Sequence, residues 1–448
     1  MTRSRLRKGF VGALALLMPT QYGSAGGHSV DQLHAAACTV TASPPRRIAL
    51  SDGTTLTIDV SSVARNRGDV LIAGTPTYLW PRGSARGSSP VNAGEAFGVV
   101  RDARGRFALV PPPPGVRDAK HPHVVSAGED GWHAVFVTGS LGTPRNALAF
   151  PEAEIWYGRY DGRRWRGVVR IARAYGAELL PGRSSGLVIA RTGLAFAYAF
   201  DQSAVRRSNA AGNQGLVLLH RRGSDWKADT LPTWESPGTI QLATDTLGAL
   251  VAIYTHAYFE GGRSHGPDLF TARYATQWDR PRVALKIPSR HVAAPMVAGP
   301  VHTGSVIAWQ SSEPGTLSAI LEWGMFGSDH LVRPMGHLAP TSNGERPAMV
   351  KVDGANALWI VRDGQSSTSL RLIAAQGDTA RDLGAIRVPA DNPVMHAAVL
   401  TNGTVLIISG GLGRASSDPP ASSYLTTAVV RCTGARRLGG ATRVPSTQ

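Results

Sequence analysis

The chain repeats itself, and that repeat restricts the fold more than any other feature. Seven times a short alternating strand runs into a turn rich in Gly, Asp or Asn, and a more apolar strand follows. HVVSAGEDGWHAVFVTG and HAAVLTNGTVLIISG are two of the copies. Anchored on the turn residues Gly68, Gly131, Gly193, Gly248, Gly304, Asn356 and Gly403, the spacings are 63, 62, 55, 56, 52 and 47 residues. One four-stranded propeller blade occupies a repeat of about this length. The second strand of each pair is nearly continuous in apolar residues, as in Ala134-Val135-Phe136-Val137 and Leu406-Ile407-Ile408. A strand packed on both faces, as between two blades, reads this way.

The back half of each unit is a second hairpin, with a large apolar residue in register after its turn: Phe107, Trp165, Trp226, Trp278, Leu383 and Leu438. These read as packing plugs of the outer hairpin. The stretch 318–336 is the weakest copy. The expected fold is all-β, a seven-bladed β-propeller of four-stranded antiparallel blades spanning 51–446. The blades are expected at about 51–116, 117–181, 182–233, 234–289, 290–340, 341–390 and 391–446. Composition agrees: 51 Gly and 30 Pro in 448 residues suit a chain that turns often, and charged residues are only 17%.

One outer hairpin carries a family resemblance. Glu154-Ile155-Trp156-Tyr157-Gly158-Arg159-Tyr160-Asp161-Gly162-Arg163-Arg164-Trp165 resembles the Asp-box hairpin of bacterial-neuraminidase-type repeats, with its Asp, Gly and Trp around one turn, although the spacing differs. Asp268 to Trp278 is similar but lacks the turn Asp and Gly. The resemblance implies a sialidase-like propeller superfamily and no particular activity, because this fold hosts enzymes and binding modules alike. The Arg-Ile-Pro signature of sialidases is absent, Arg170-Ile171-Ala172 being the nearest match, and sialidase catalytic domains resemble six-bladed rings.

The N-terminus reads as an export signal. Arg3, Arg5, Arg7 and Lys8 precede the short apolar run Phe10–Met18, then Pro19 and the small residues Gly23, Ser24 and Ala25. The run is too short to span a bilayer, so residues 1–25 are expected to be removed near Ala25, leaving a secreted or periplasmic protein. No later segment has membrane length. In an exported chain the only two cysteines, Cys38 and Cys432, are expected to form a disulfide that ties the ring ends. Residues 26–50 read as an N-terminal strap. Residues 435–445 closely repeat 380–389, which favours a last blade completed from the C-terminus. The other solution makes residues 39–50 the outermost strand of the last blade.

The net charge is +16, and only five of the 47 basic residues are lysine. Arginine excess beside abundant Ala and Gly fits a GC-rich bacterial genome. The charge also allows attraction to an anionic surface, while export sets nucleic acid aside as a partner. No serine-hydrolase elbow, phosphate loop, zinc motif or calcium loop is present, so no metal or cofactor is expected.

Long connections between the second and third strands of the blades share one face with the connections between blades. That face is the expected functional one. The richest of these connections, Thr255 to Asp268, carries His256, Tyr258, Glu260, His265 and Asp268, aromatic rings beside hydrogen-bonding groups as sugar recognition requires. Arg183, Arg290 and Arg346 precede the first strands of three blades and could face the centre together. These eight residues are the candidate ligand contacts. The expected function is an extracellular module binding a glycan or a protein partner. The second possibility is a glycan-active hydrolase or lyase on the same face, which would need paired acids.

Overall fold

The computed structural model describes residues 38–432 apart from 52, 81–95, 118, 140–151, 176, 179–184, 202–213, 233–237, 261–262, 289, 317, 343–346, 353–354, 356, 364–368, 388–392, 401–402 and 412–422. Residues 1–37, which hold the expected signal peptide, lie outside this set, as do 433–448. The described residues form strands and turns, with one short 3-10 turn at Gly128–Asp130. No helix among them is long and apolar enough to cross a membrane.

The strands form seven antiparallel blades in chain order. Blade one is Thr55–Asn66, Asp69–Trp80, Gly98–Arg101 and Phe107–Val110. Blade two is Lys120–Ser126, Trp132–Gly139, Glu152–Tyr160 and Trp165–Tyr175. Blade three is Ser185–Ala190, Gly193–Asp201, Gln214–Arg222 and Asp225–Pro232, with Ala177–Glu178 also paired to its second strand. Blade four is Ile240–Thr244, Leu250–Glu260, Arg263–Tyr274 and Arg282–Leu285. Blade five is His291–Val297, Val306–Ser312, Ser318–Phe326 and Val332–Ser342. Blade six is Ala348–Val350, Ala357–Arg362, Ser369–Gln376 and Thr379–Arg387. Blade seven supplies Pro393–Val399, Thr404–Gly411 and Ser423–Cys432 from the C-terminal part of the chain.

The fourth strand of blade seven comes from the other end of the chain. Cys38–Ala42 pairs antiparallel with Ser423–Cys432, in a register running from Cys38 opposite Cys432 to Ala42 opposite Ala428. This corrects the favoured C-terminal completion and the reading of 26–50 as a strap. Arg46–Ala49 then bridges Ser423–Cys432 and the inner strand of blade one. Cys-Thr-Val-Thr-Ala alternates as a half-buried edge strand must, with Cys38, Val40 and Ala42 packed on the core between blades six and seven. The C-terminal copy at 435–445 falls outside the described residues. So does the Cys432 side chain, and with it the expected disulfide.

Packing follows from the pattern. The described residues contain seven hydrophobic cores, one between each pair of neighbouring blades. The core that closes the ring joins Leu406 and Ile408 of blade seven to Leu56, Val70 and Ile72 of blade one, all essentially inaccessible to solvent. Each continuous apolar strand is thus buried on both sides, which no single hairpin could achieve.

Hydrogen bonds between inner strands add direction to this packing. His396 Nε2 lies 3.0 Å from the Val60 carbonyl oxygen, and His123 Nε2 lies 3.0 Å from Ser185 Oγ. The Val124 and Ala294 amides donate to Ser62 Oγ and Thr239 Oγ1. His123 therefore serves the joint between blades two and three.

The expected plugs are in place among the described residues. Phe107 and Trp165 are buried, and Trp165 Nε1 donates to the Pro111 carbonyl at 2.8 Å. Trp226, Trp278 and Leu383 pack on interblade cores, while Leu438 lies outside the described set. Turn chemistry is also sequence-driven. At Gly131, φ is +93° and a Cβ would stand 2.1 Å from the Tyr160 carbonyl oxygen, so no other residue fits.

Candidate functional site

The two ends of the blades differ. At one end the strands reverse through two residues, at 67–68, 191–192, 223–224 and 377–378. At the other the second and third strands are joined by residues 81–97, 140–151, 202–213 and 412–422 in blades one, two, three and seven, and by the shorter 261–262, 313–317 and 363–368 in blades four, five and six. Most of these long connections lie outside the described residues, as do Arg183 and Arg346.

The segment expected as a loop in blade four is instead hairpin. Leu250–Glu260 and Arg263–Tyr274 stay paired out to Glu260 opposite Arg263, with a bulge between His256 and Tyr258. Only Gly261-Gly262 separates the two strands, a dipeptide suited to a two-residue turn. Tyr258, Glu260 and His265 occupy strand positions on the far half, beyond the bulge; their side chains are not among those described. Gly266 is required near the base, where a Cβ would meet the Asp268 amide at 2.6 Å.

His256 and Asp268 are directly opposite each other in this hairpin, and both are buried. They share a face with Tyr254 and Phe270, which pack toward blade three. The His256 ring meets Phe270 edge-on at 5.4 Å. Burial pulls the imidazole down to about 4, so it is neutral at ordinary pH. These two residues lie inside the blade interface rather than in an open groove.

Arg290 is the third described candidate, and it belongs to a different interface. Its Nη1 donates to Ser311 Oγ at 3.3 Å and stands 3.6 Å from Glu322 Oε1. The buried Glu322 carboxylate also accepts from Trp309 Nε1 at 2.8 Å and faces His337 Nδ1 at 3.1 Å. Trp309, opposite Glu322 in register, packs in the core between blades four and five. The sheet of blade four therefore stands between Asp268 and Glu322, and these two acids cannot act on one bond.

The turn at Asp161, expected from its resemblance to an Asp-box, is held by that carboxylate. Asp161 Oδ1 accepts the Arg163 and Arg164 amides at 3.0 and 2.9 Å, and Oδ2 accepts Arg166 Nε at 2.7 Å. The Arg164 amide first, then the Arg166 guanidinium, hold this carboxyl well below the usual range. Asp102 holds a turn of blade one in a related way: Oδ1 accepts the Arg104 and Arg106 amides and Oδ2 accepts Arg106 Nε.

A cleft of about 370 Å³ opens at the short-turn end between blades two and three, lined by Tyr157, Arg159, Arg166, Arg221 and Trp226 among others. Arg221 Nη1 donates to the Tyr157 hydroxyl at 2.9 Å, and its guanidinium carbon stands 5.1 Å from the centre of that ring. The Tyr157 and Trp226 rings are 5.4 Å apart. Sequence reasoning took Trp226 only as a plug and passed over Tyr157 and Arg221. The Arg221-to-Trp226 hairpin is legible in the chain, but its meeting with Tyr157 of another repeat is not.

No protein-family model and no curated protein matches this chain. Solved structures share its architecture at low identity. A polysaccharide lyase described as an ulvan lyase is 10% identical, with 86% of this chain and 97% of that one covered and a TM-score of 0.49. The NanB sialidase of Streptococcus pneumoniae is 9% identical, with 88% and 94% covered and a TM-score of 0.43. A protein of unknown function from Dyadobacter fermentans is 12% identical, with 70% and 95% covered and a TM-score of 0.41. At these values the likeness is one of overall fold alone.

Proposed function

We propose that this protein is an exported, non-catalytic glycan-binding module whose ligand is held at the long-connection end of the ring. The observation that carries this reading is the contrast between the two ends: connections of 11 to 17 residues in blades one, two, three and seven at one, and turns of two to eight residues at the other. A rigid ring that concentrates its variable length at one end is built to present a surface there. The projecting hairpin of blade four, with Tyr258, Glu260 and His265 on its far half, is assigned to this surface, together with Arg183, Arg290 and Arg346 around it. His256 and Asp268 are assigned to holding that hairpin from below.

Export supplies the oxidising setting for one further assignment, a Cys38–Cys432 disulfide. Directly opposed residues of an antiparallel pair have Cα atoms about 4.5–5.5 Å apart, within the span a disulfide bridges. Cleavage near Ala25 would leave Cys38 close to the mature N-terminus.

A glycan array run beside a fluorogenic glycosidase and lyase panel tests the function. Glycan capture without turnover, weakened by Tyr258→Ala or Glu260→Gln, is the expected result. Turnover abolished by removing one acid of this end would establish the hydrolase or lyase reading instead. Capture of an extracellular protein with no glycan bound would move the assignment to a protein partner.

A further inference from the structure

The cleft between blades two and three lies at the opposite end of the blades from the surface just assigned. We propose that it is a second ligand site, one that takes an oxyanion carried on a sugar ring, a carboxylate or a sulfate, as in an acidic saccharide.

Charge selects the anion. Three guanidinium groups, of Arg159, Arg166 and Arg221, line the cleft. Two are matched by acids: Arg159 Nη1 to Asp130 at 2.8 Å and Arg166 Nε to Asp161 at 2.7 Å. Arg221 has no carboxylate partner among the described residues. Its bonds run to the Tyr157 hydroxyl and to the Gly223 carbonyl, at 2.9 Å each. Both acceptors are uncharged, so the guanidinium is fixed in place with its charge unmatched. A fixed fork of donors suits an oxyanion, because little side-chain freedom is lost when it binds. The imidazole beside it adds no charge: His133 Nδ1 lies 2.8 Å from the same Tyr157 hydroxyl.

Ring faces select the body of the ligand. Trp226 is partly exposed and tilts against Tyr157. Val169, the cross-strand neighbour of Tyr157 in the same sheet, is 46% exposed and also lines the cleft. A pyranose offers the matching pair of features, an apolar C–H face for the indole and an oxyanion at its edge for Arg221. The outer strand of blade two bends away from the site at a register shift between Arg166 and Val169, where Gly167 has φ +58°. The bulged residues Arg166 to Val169 themselves line the cleft, and bulges re-aim the side chains of an edge strand.

Isothermal titration tests this with four probes: a glucuronate-containing tetrasaccharide, its carboxyl-reduced counterpart, a sulfated tetrasaccharide without carboxylates, and inorganic sulfate. The glucuronate or the sulfated sugar is expected to bind, the reduced sugar and the free ion at least tenfold more weakly. Which acidic sugar binds identifies the oxyanion. Arg221→Lys keeps the charge but loses the fork and should weaken binding about tenfold. Trp226→Leu should do the same for sugars and leave the ion unaffected. Melting curves check that both variants fold, and Arg159→Gln, expected to weaken acidic-sugar binding less, replaces either one that does not. Binding of the reduced sugar as tight as that of the acid overturns the proposal, as does absence of acidic-sugar binding. An acidic sugar bound equally well by Arg221→Lys is held at the long-connection end, which separates failure of this site from failure of that one.

Discussion

Cys38 stands directly opposite Cys432 across the outer edge of blade seven. One residue opens the described chain and the other ends it, yet they are neighbours in a sheet. A bond between them would fix the strand that closes the ring. Closing so long a loop constrains the unfolded chain by about 5 kcal/mol in the loop-entropy treatment, less any strain in the native state. Reduction should therefore lower the melting temperature, and Cys38→Ser should lower it by the same amount with no further effect of reductant. An unchanged melt after confirmed loss of the disulfide would falsify the clasp.

Removing the closing strand should have a different consequence. Deletion of residues 1–45 exposes the edge of Ser423–Cys432, which now carries Cys38–Ala42. Unpaired edges recruit other chains. Light scattering should find the truncated protein associating or aggregating at concentrations where the full chain does not.

Blades three and four are joined by a polar lock. The Tyr274 hydroxyl donates to Asp229 Oδ2 at 2.5 Å, and the buried His220 lies 2.8 Å from the same oxygen through Nε2. Desolvation and Asp229 push the Tyr274 phenol up to about 12, so it stays a donor at every working pH. Tyr274→Phe removes a hydrogen bond to a charged acceptor, worth about 1.5–3 kcal/mol, and the part exposure of Asp229 points to the lower end. Denaturant melts should shift their midpoint downward with little change in slope.

Acid should destabilise the ring before its carboxylates titrate. His256 is held at about 4 by burial, and His133 at about 4 by burial and then by the nearby Arg221 and Arg159. Both lie below the unfolded value of about 6.5. Between these limits the unfolded chain binds protons that the native chain refuses, so stability falls as pH drops from about 6.5 toward 4. Urea midpoints at pH 7 and pH 5 measure it, and His256→Asn should flatten the difference. The carboxyls of Asp102, Asp161 and Asp245 are held low, so their loss belongs to more acid conditions.

The ring was legible because its causes are local and repeated. A glycine with positive φ sits in the inner hairpin turns of blades two, three, four, five and seven, and a large apolar residue follows the second turn in blades one to four and six. Closure was harder to read. The residues 38–42 alternate in the manner of an edge strand, but the C-terminal copy of an outer-strand motif competed for the same place in the argument. The blade-four segment was misread because Gly-Gly and polar residues mark loops and long hairpins equally. Interblade relations are illegible for a plain reason: Tyr157 and Arg221, or Asp268 and Glu322, meet or are kept apart through blade packing that no local pattern encodes.

Closure by the first strand also orders events in time. Ser43 and Thr427 share a hydrogen bond across a separation of 384 residues. At about 5–20 residues per second of synthesis, the opening strand waits roughly 20–80 s for its partner to exist. Six blades can be assembled in that interval, but the seventh cannot. Until then the growing chain carries one unmatched strand at its start and uncovered apolar faces on its first and newest blades. Both exposures end in one event, when Ser423–Cys432 receives the opening strand and the blade one to seven core forms.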